Sequence, residues 1–318
     1  RPSHASVSTS TVPRSPTRGH GVHPTPAGAG TCTRRRFPRS VCAVTDPTLG
    51  QLVIGVEGLA LLRQLYAADG AGARADRLAE VRDALDRPDL DVPLGTEVDV
   101  DAGYVQWSRS YDAPLRLFAV EGAAVRPRVD AWAPSTVLDA ACGTGRWSEY
   151  LAARGHAVVG VDRSAAMLDL ARPKIRGSRF EEGRLDALPL DDTCVDNAVC
   201  ALATVHVAEL GPVFAELARV VRRGGRVVVS DVHPFLVALG WQAQFAGADG
   251  RAFIRLQPHL VSDYASAALA AGFAVRGVEE PRVTDEAAAT PTAALVPEAN
   301  SAAYVGLPAV VVWEFERI

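Results

Sequence analysis

The stretch VLDAACGTGRW, Val137 to Trp147, runs an apolar strand into an acid and then into a Gly-x-Gly turn. Seventeen residues beyond the second glycine stands Asp162, in GVDRS after the apolar run AVVGV. Gly143 and Gly145 let the chain turn tightly and let a ligand approach bare backbone. A helix from about Arg146 to Ala153 would then aim its first N–H groups into the site. A carboxylate at the end of the next strand, Asp162, is placed to accept from two ribose hydroxyls. Together these features predict a nucleotide-type pocket at the carboxyl end of a parallel strand.

The kind of nucleotide follows from what the loop lacks. A dinucleotide site favours a third glycine, where this chain has Ser148. Asp139, four residues before the first glycine, would repel a pyrophosphate and would suit a ligand carrying an ammonium group. Here the chain resembles the class I S-adenosylmethionine (SAM) methyltransferases, whose first motif runs acid-x-x-x-Gly-x-Gly. The likeness extends in order from about Tyr104 to Ile318, through GRLDALPLDD (183–192), VDNAVCALATVHV (195–207), ELARVVRRGGRVVVSD and SDYASAALAAGFAVRGVEEP, and is similar to the small-molecule, quinone-biosynthesis-like branch.

That resemblance implies SAM as cofactor, with contacts from Asp139, Ala141, Gly143, Gly145, Asp162, Arg163, Leu185, Asp186 and Ala201. Leu185 and Asp186 would meet the adenine. Tyr104, Trp107 and Tyr111, spaced i, i+3, i+7, are either an aromatic stripe packed on the core or a lid over cofactor and substrate. The expected fold is a doubly wound α/β, Rossmann-like, mostly parallel seven-stranded sheet with an N-terminal helical annex. Strands are expected near 136–140, 157–161, 178–182, 195–201, 226–232, 273–279 and 308–316, the last antiparallel beside the fifth. Phe235 to Leu256 and Thr284 to Val305 interrupt the pattern and read as substrate-binding loops.

Three domain segments are expected. Residues 1–43 are rich in Ser, Thr, Pro, Gly and Arg without apolar periodicity, and read as a disordered leader. Its composition also matches an organelle transit peptide, but the single lysine of the whole chain, Lys174, among many Arg and Ala points to a GC-rich bacterial coding sequence. The expectation is an overextended reading frame with its true start near Val41 or Val44. Residues 44–100 form the annex and a linker, with Leu59, Leu62 and Tyr66 on one helical face and Leu78, Val81 and Leu85 on another, as an annex or homodimer element. The methyltransferase domain occupies 101–318.

Composition narrows the function classes. With 48% hydrophobic residues in 318, the chain can bury a substantial core. No apolar run reaches the roughly 18 to 20 residues of a membrane span, and the expected location is the cytoplasm. Cys32, Cys42, Cys142, Cys194 and Cys200 make no C-x-x-C pair, so free thiols and no metal are expected. After residue 45 there remain 26 basic and 37 acidic residues, a poor match for nucleic acid and a better one for a small-molecule acceptor.

A sulfonium methyl is already activated, so transfer needs alignment and, for some acceptors, removal of a proton. His233 after the fifth strand and His259 before the late helix are the expected bases; His206, after the fourth strand, reads as structural. The D/N-P-P-aromatic tetrad of exocyclic amino methylation is replaced by Ala201, Leu202, Ala203 and Thr204, and Cys200 follows Val199 rather than the proline that cytosine C5 chemistry uses. Methyl transfer to O, N or C of a small metabolite is the leading expectation. A silent SAM-binding protein and an NAD-dependent dehydrogenase are the alternatives. Gly145→Val is expected to abolish cofactor binding without unfolding the chain.

Overall fold

A computed structural model of the chain describes residues 46–67, 70–113, 115–288 and 290–318. The leader, Cys32 and Cys42 lie outside the described residues. In chain order the elements begin with α1 (Leu49–Gln64), α2 (Ala71–Leu85), β1 (Thr96–Val98), α3 (Val100–Trp107) and α4 (Arg116–Asp130). The alternating core follows as β2 (Thr136–Ala140), α5 (Arg146–Ala152), β3 (Ala157–Asp162), α6 (Ala165–Ala171), β4 (Arg179–Glu182), β5 (Asn197–Ala201), α7 (Leu210–Val220) and β6 (Arg226–Val232). After it come α8 (Pro234–Ala238), β7 (Ala243–Gly247), β8 (Gly250–Ile254), α9 (Val261–Ala270), β9 (Phe273–Glu279), α10 (Pro297–Tyr304) and β10 (Val310–Arg317).

Seven strands form one sheet in the order β4-β3-β2-β5-β6-β10-β9. Strand β10 runs antiparallel to both β6 and β9, and the remaining pairs are parallel. This is the expected doubly wound sheet with its reversed strand beside the fifth. Val227, Val228 and Val229 are all buried, so β6 is covered on both faces, as a central parallel strand with an unbroken apolar run must be. Helices α4 and α5 pack Val125, Val129, Trp147 and Leu151 on one face of the sheet. On the other, α7 and α9 pack Phe214, Leu217, Tyr264 and Ala268. The strand order turns back between β2 and β5, and at such a switch point the strand ends diverge and leave a crevice for a ligand.

Two expectations are corrected. Both annex helices form, α1 under a capping box in which Thr48 and Gln51 exchange hydrogen bonds. The faces differ, however: Leu62 is 65% and Tyr66 98% exposed, whereas Val53, Val56, Glu57 and Ala60 are buried. The small and β-branched residues fit against α10, whose Ala299 and Ala303 share their cluster. The segment Phe235 to Leu256 is no plain loop either. It folds as α8 followed by the β7–β8 hairpin, and β8 pairs in parallel with β1 to make a separate sheet, β1-β8-β7. Thus part of the expected linker belongs to a three-stranded cap. Among the described residues no helix is long and apolar enough to cross a membrane.

Candidate active site

A pocket opens over the carboxyl ends of β2, β3 and β5. Ala141, Gly143, Asp162, Arg163, Leu185, Asp186 and Ala201 border it, as do Tyr104 and Tyr111 from the segment that precedes the sheet. The glycine loop is built as its sequence demands. Ala141, Gly143 and Gly145 take φ of 59°, 55° and 87°, and the alanine does so against its steric preference. Leu202, just past β5, also has a positive φ of 55° and also borders the pocket. Backbone strain therefore gathers where two strands end at the cavity, a common property of ligand sites. Sequence gave no signal of it, because neither residue is glycine.

Asp162 closes the loop from below. Its Oδ2 accepts the Gly143 N–H at 2.8 Å and its Oδ1 the Ser164 N–H at 2.8 Å. Burial raises its pKa, against these hydrogen bonds, which favour the charged form. Across the pocket, Arg184 holds Asp186 with two bonds of 2.9 and 2.8 Å, and this pairing lowers the pKa of the carboxyl. Thr144 and Lys174 both donate to Asp112, at 2.6 and 2.7 Å, tying the glycine loop to the segment after α3.

Several predicted residues stand elsewhere. Asp139 is 1% exposed and does not border the pocket; its carboxylate turns to Ser148 Oγ at 2.6 Å, and burial pushes its pKa up to about 6. Its alternation on β2 points it into the helix layer rather than toward a ligand. Gly145 lies behind the pocket wall: a Cβ there would sit 3.1 Å from Ala171 Cβ, whereas one on Gly143 would meet only Tyr111, at 3.9 Å. The expectation for Gly145→Val therefore changes. That variant should lose thermal stability through its clash with α6, while Gly143→Val should lose SAM affinity at least about tenfold with a strain cost of about 1–2 kcal/mol. Thermal unfolding and calorimetry on the two proteins check this, and identical behaviour would reject the assignment.

The histidines also sort differently. His233 caps α8, its Nδ1 accepting the Phe235 N–H at 3.0 Å while Nε2 meets Glu280 at 2.9 Å. His259 Nε2 lies 2.8 Å from the Val207 carbonyl, which it bonds as donor. Neither borders the pocket: the His233 ring is held by the Phe235 N–H and the Glu280 carboxylate, and the His259 ring by the Val207 carbonyl. His206 does border it, with Nε2 2.7 Å from the Tyr104 hydroxyl. Burial, and then the nearby Arg163 charge, lowers the pKa of His206 to about 4. Trp107 stands one layer behind, stacked between Tyr104 and Phe245 at 5.8 and 5.2 Å. The aromatic helix is thus both packed stripe and pocket wall.

Residues 138–229 match the family profile described as a methyltransferase domain. The chain is 35% identical over 122 residues to the malonyl-[acyl-carrier protein] O-methyltransferase of Pectobacterium atrosepticum, covering 38% of this chain and 48% of that protein. It is 39% identical over 110 residues to the demethylmenaquinone methyltransferase of Deinococcus radiodurans, covering 33% and 46%. The chain spans about half the length of the curated relatives it matches. Among solved structures, a chain of the complex between the Haloferax volcanii Trm112 methyltransferase activator and a methyltransferase superposes with a TM-score of 0.52 at 20% identity, covering 67% of this chain and 96% of that one. That likeness bears on the fold alone. Fold, glycine loop and the match over residues 138–229 together resemble those of a class I SAM-dependent methyltransferase domain.

Proposed function

We propose that the protein transfers a methyl group from SAM to a small-molecule acceptor. The observation that carries this reading is Asp162, which ends β3 at the pocket while its carboxylate pins Gly143 of the glycine loop. The pocket's donor set fits the cofactor: a buried carboxylate for ribose hydroxyls, Asp186 and the Leu185 backbone for an amino-substituted base, and bare backbone at Gly143 for the amino-acid arm. When bound, the donor supplies a methyl already activated at sulfonium, and the protein's own task is alignment and exclusion of water. An acidic body and a recessed pocket favour a metabolite over nucleic acid as acceptor and a cytoplasmic setting.

A dehydrogenase reading is disfavoured by Ser148, whose hydroxyl is committed to the buried Asp139 where a dinucleotide loop has glycine. Calorimetric titration with SAM, S-adenosylhomocysteine (SAH) and NAD should give heat for the first two only. NAD binding without SAH binding would reverse the assignment. Transfer of label from methyl-tritiated SAM into a bacterial metabolite extract separates the enzyme from a silent SAM-binding protein.

A further inference from the structure

One end of the pocket is bounded by Val100, Tyr104, Tyr111, Leu202, His206 and Val207, in which Tyr104 and His206 form a hydrogen-bonded pair. In that pair the Tyr104 hydroxyl and His206 Nε2 are 2.7 Å apart, and their rings meet edge-on at 5.3 Å. His206 Nδ1 is buried and has no hydrogen-bond partner. A buried neutral imidazole needs a donor on one nitrogen and an acceptor on the other, so the pair is half satisfied in the free protein. The tyrosine hydroxyl, with one proton and two lone pairs, still has capacity for a ligand after its bond to the histidine.

Charge decides which ligand. The guanidiniums that border the pocket are already paired, Arg163 with Asp101 at 2.6 Å and Arg184 with Asp186 at 2.8 Å. Desolvation by burial, and after it the neighbouring Tyr111, Asp162 and Asp231, hold Tyr104 in its protonated form. An anionic acceptor entering here would lose its water without gaining a cation.

Resting on the methyltransferase reading above, we propose that this end of the pocket takes a neutral acceptor with a hydroxyl on an apolar skeleton, met by the Tyr104 oxygen that His206 positions, and refuses carboxylates. As the acceptor oxygen gains the methyl, the methyl–sulfur bond breaks with its electron pair left on the sulfur of SAH, the acceptor's O–H proton passes to the Tyr104 oxygen, and the tyrosine proton passes to His206 Nε2. The imidazolium so formed discharges to solvent when the pocket opens. A weak base suffices, because an oxygen that has taken a methyl is a far stronger acid than the alcohol it came from. An alkylammonium acceptor would need a much stronger base than this neutral, desolvated ring.

The test uses the full chain loaded with SAH and two probes of one skeleton, 2-naphthol and 2-naphthoate, titrated at neutral pH. Naphthol should bind at least about ten times more tightly, the factor that about 1.4 kcal/mol represents. Equal response to both probes, including none to either, or a preference for naphthoate overturns the proposal. Failure of SAH to load in the first place overturns the methyltransferase reading instead. Tyr104→Phe should weaken naphthol about fivefold, the worth of one neutral hydrogen bond. His206→Gln, whose side-chain oxygen can accept the Tyr104 O–H near the Nε2 position, should retain most of the affinity that His206→Leu loses. If the glutamine and leucine variants behave alike, His206 does not position the tyrosine.

Discussion

Asp162→Ala protein titrated with SAH in a calorimeter should show affinity reduced by about a hundredfold or more. The carboxylate holds the N–H groups of Gly143 and Ser164, each at 2.8 Å, so its removal strands two backbone donors and, on the proposed function, a ribose contact. Each stranded donor costs about 1–3 kcal/mol where water cannot reach it. Part of that cost falls on the free protein, and the remainder appears as a glycine loop no longer held in binding geometry. Asp162→Asn keeps one acceptor oxygen and should lie between the two. Wild-type affinity in the alanine protein would remove the ribose and loop assignments together.

Glu121→Leu should lower the melting temperature by about 10 °C, the shift expected in a domain of this size for a loss of about 3–5 kcal/mol. Glu121 is 0% exposed on α4 and is fully committed. Arg146 donates to one of its oxygens at 2.8 Å, and Trp147 Nε1 and Ser230 Oγ donate to the other at 3.1 and 2.8 Å. It thereby links α4, α5 and β6 beneath the pocket. Leucine would fill the volume and leave the indole and serine without an acceptor, whereas Glu121→Gln retains one carbonyl for them and should cost less. Circular dichroism melts of the two variants make the comparison, and an unchanged midpoint for leucine would mean that the three donors find other partners.

How far the sequence reaches is clearest in contrasting pairs of residues. The apolar runs ending at Ala140 and Asp162 lie in a parallel sheet in which most of their positions are buried, and their strands fall where expected. The annex helices are amphipathic only weakly, and large residues such as Leu62 and Tyr66 mark the exposed face while Ala60 is buried against α10 and Glu57 beside Arg77 of α2. Size of side chain misleads when the partner surface lies more than two hundred residues away in the chain. The turn Gly247 to Gly250, with its Asp-Gly pair, closes the β7–β8 hairpin inside a segment that reads from sequence as a loop. Its parallel partner β1 was not legible either, since nothing local in Thr96–Val98 names a strand near residue 252. The histidines show the same limit. Proximity to a strand's carboxyl end is a statement about backbone, and whether His206, His233 or His259 turns into the cavity depends on which side-chain or backbone group claims the ring.

The three-stranded sheet has a bearing on redesign. Val98 and Val100, ahead of the catalytic core in the chain, pack with Phe245 and Ile254, which come after five of its strands, and Trp107 fills the space between them. The two pieces are therefore one heritable unit in two fragments. A graft intended to change acceptor preference would need to move residues 96–107 and 243–254 together. Exchange of either fragment alone would leave an orphaned strand and an uncovered tryptophan, so variation on this side of the molecule should arise as paired change rather than by drift at single positions.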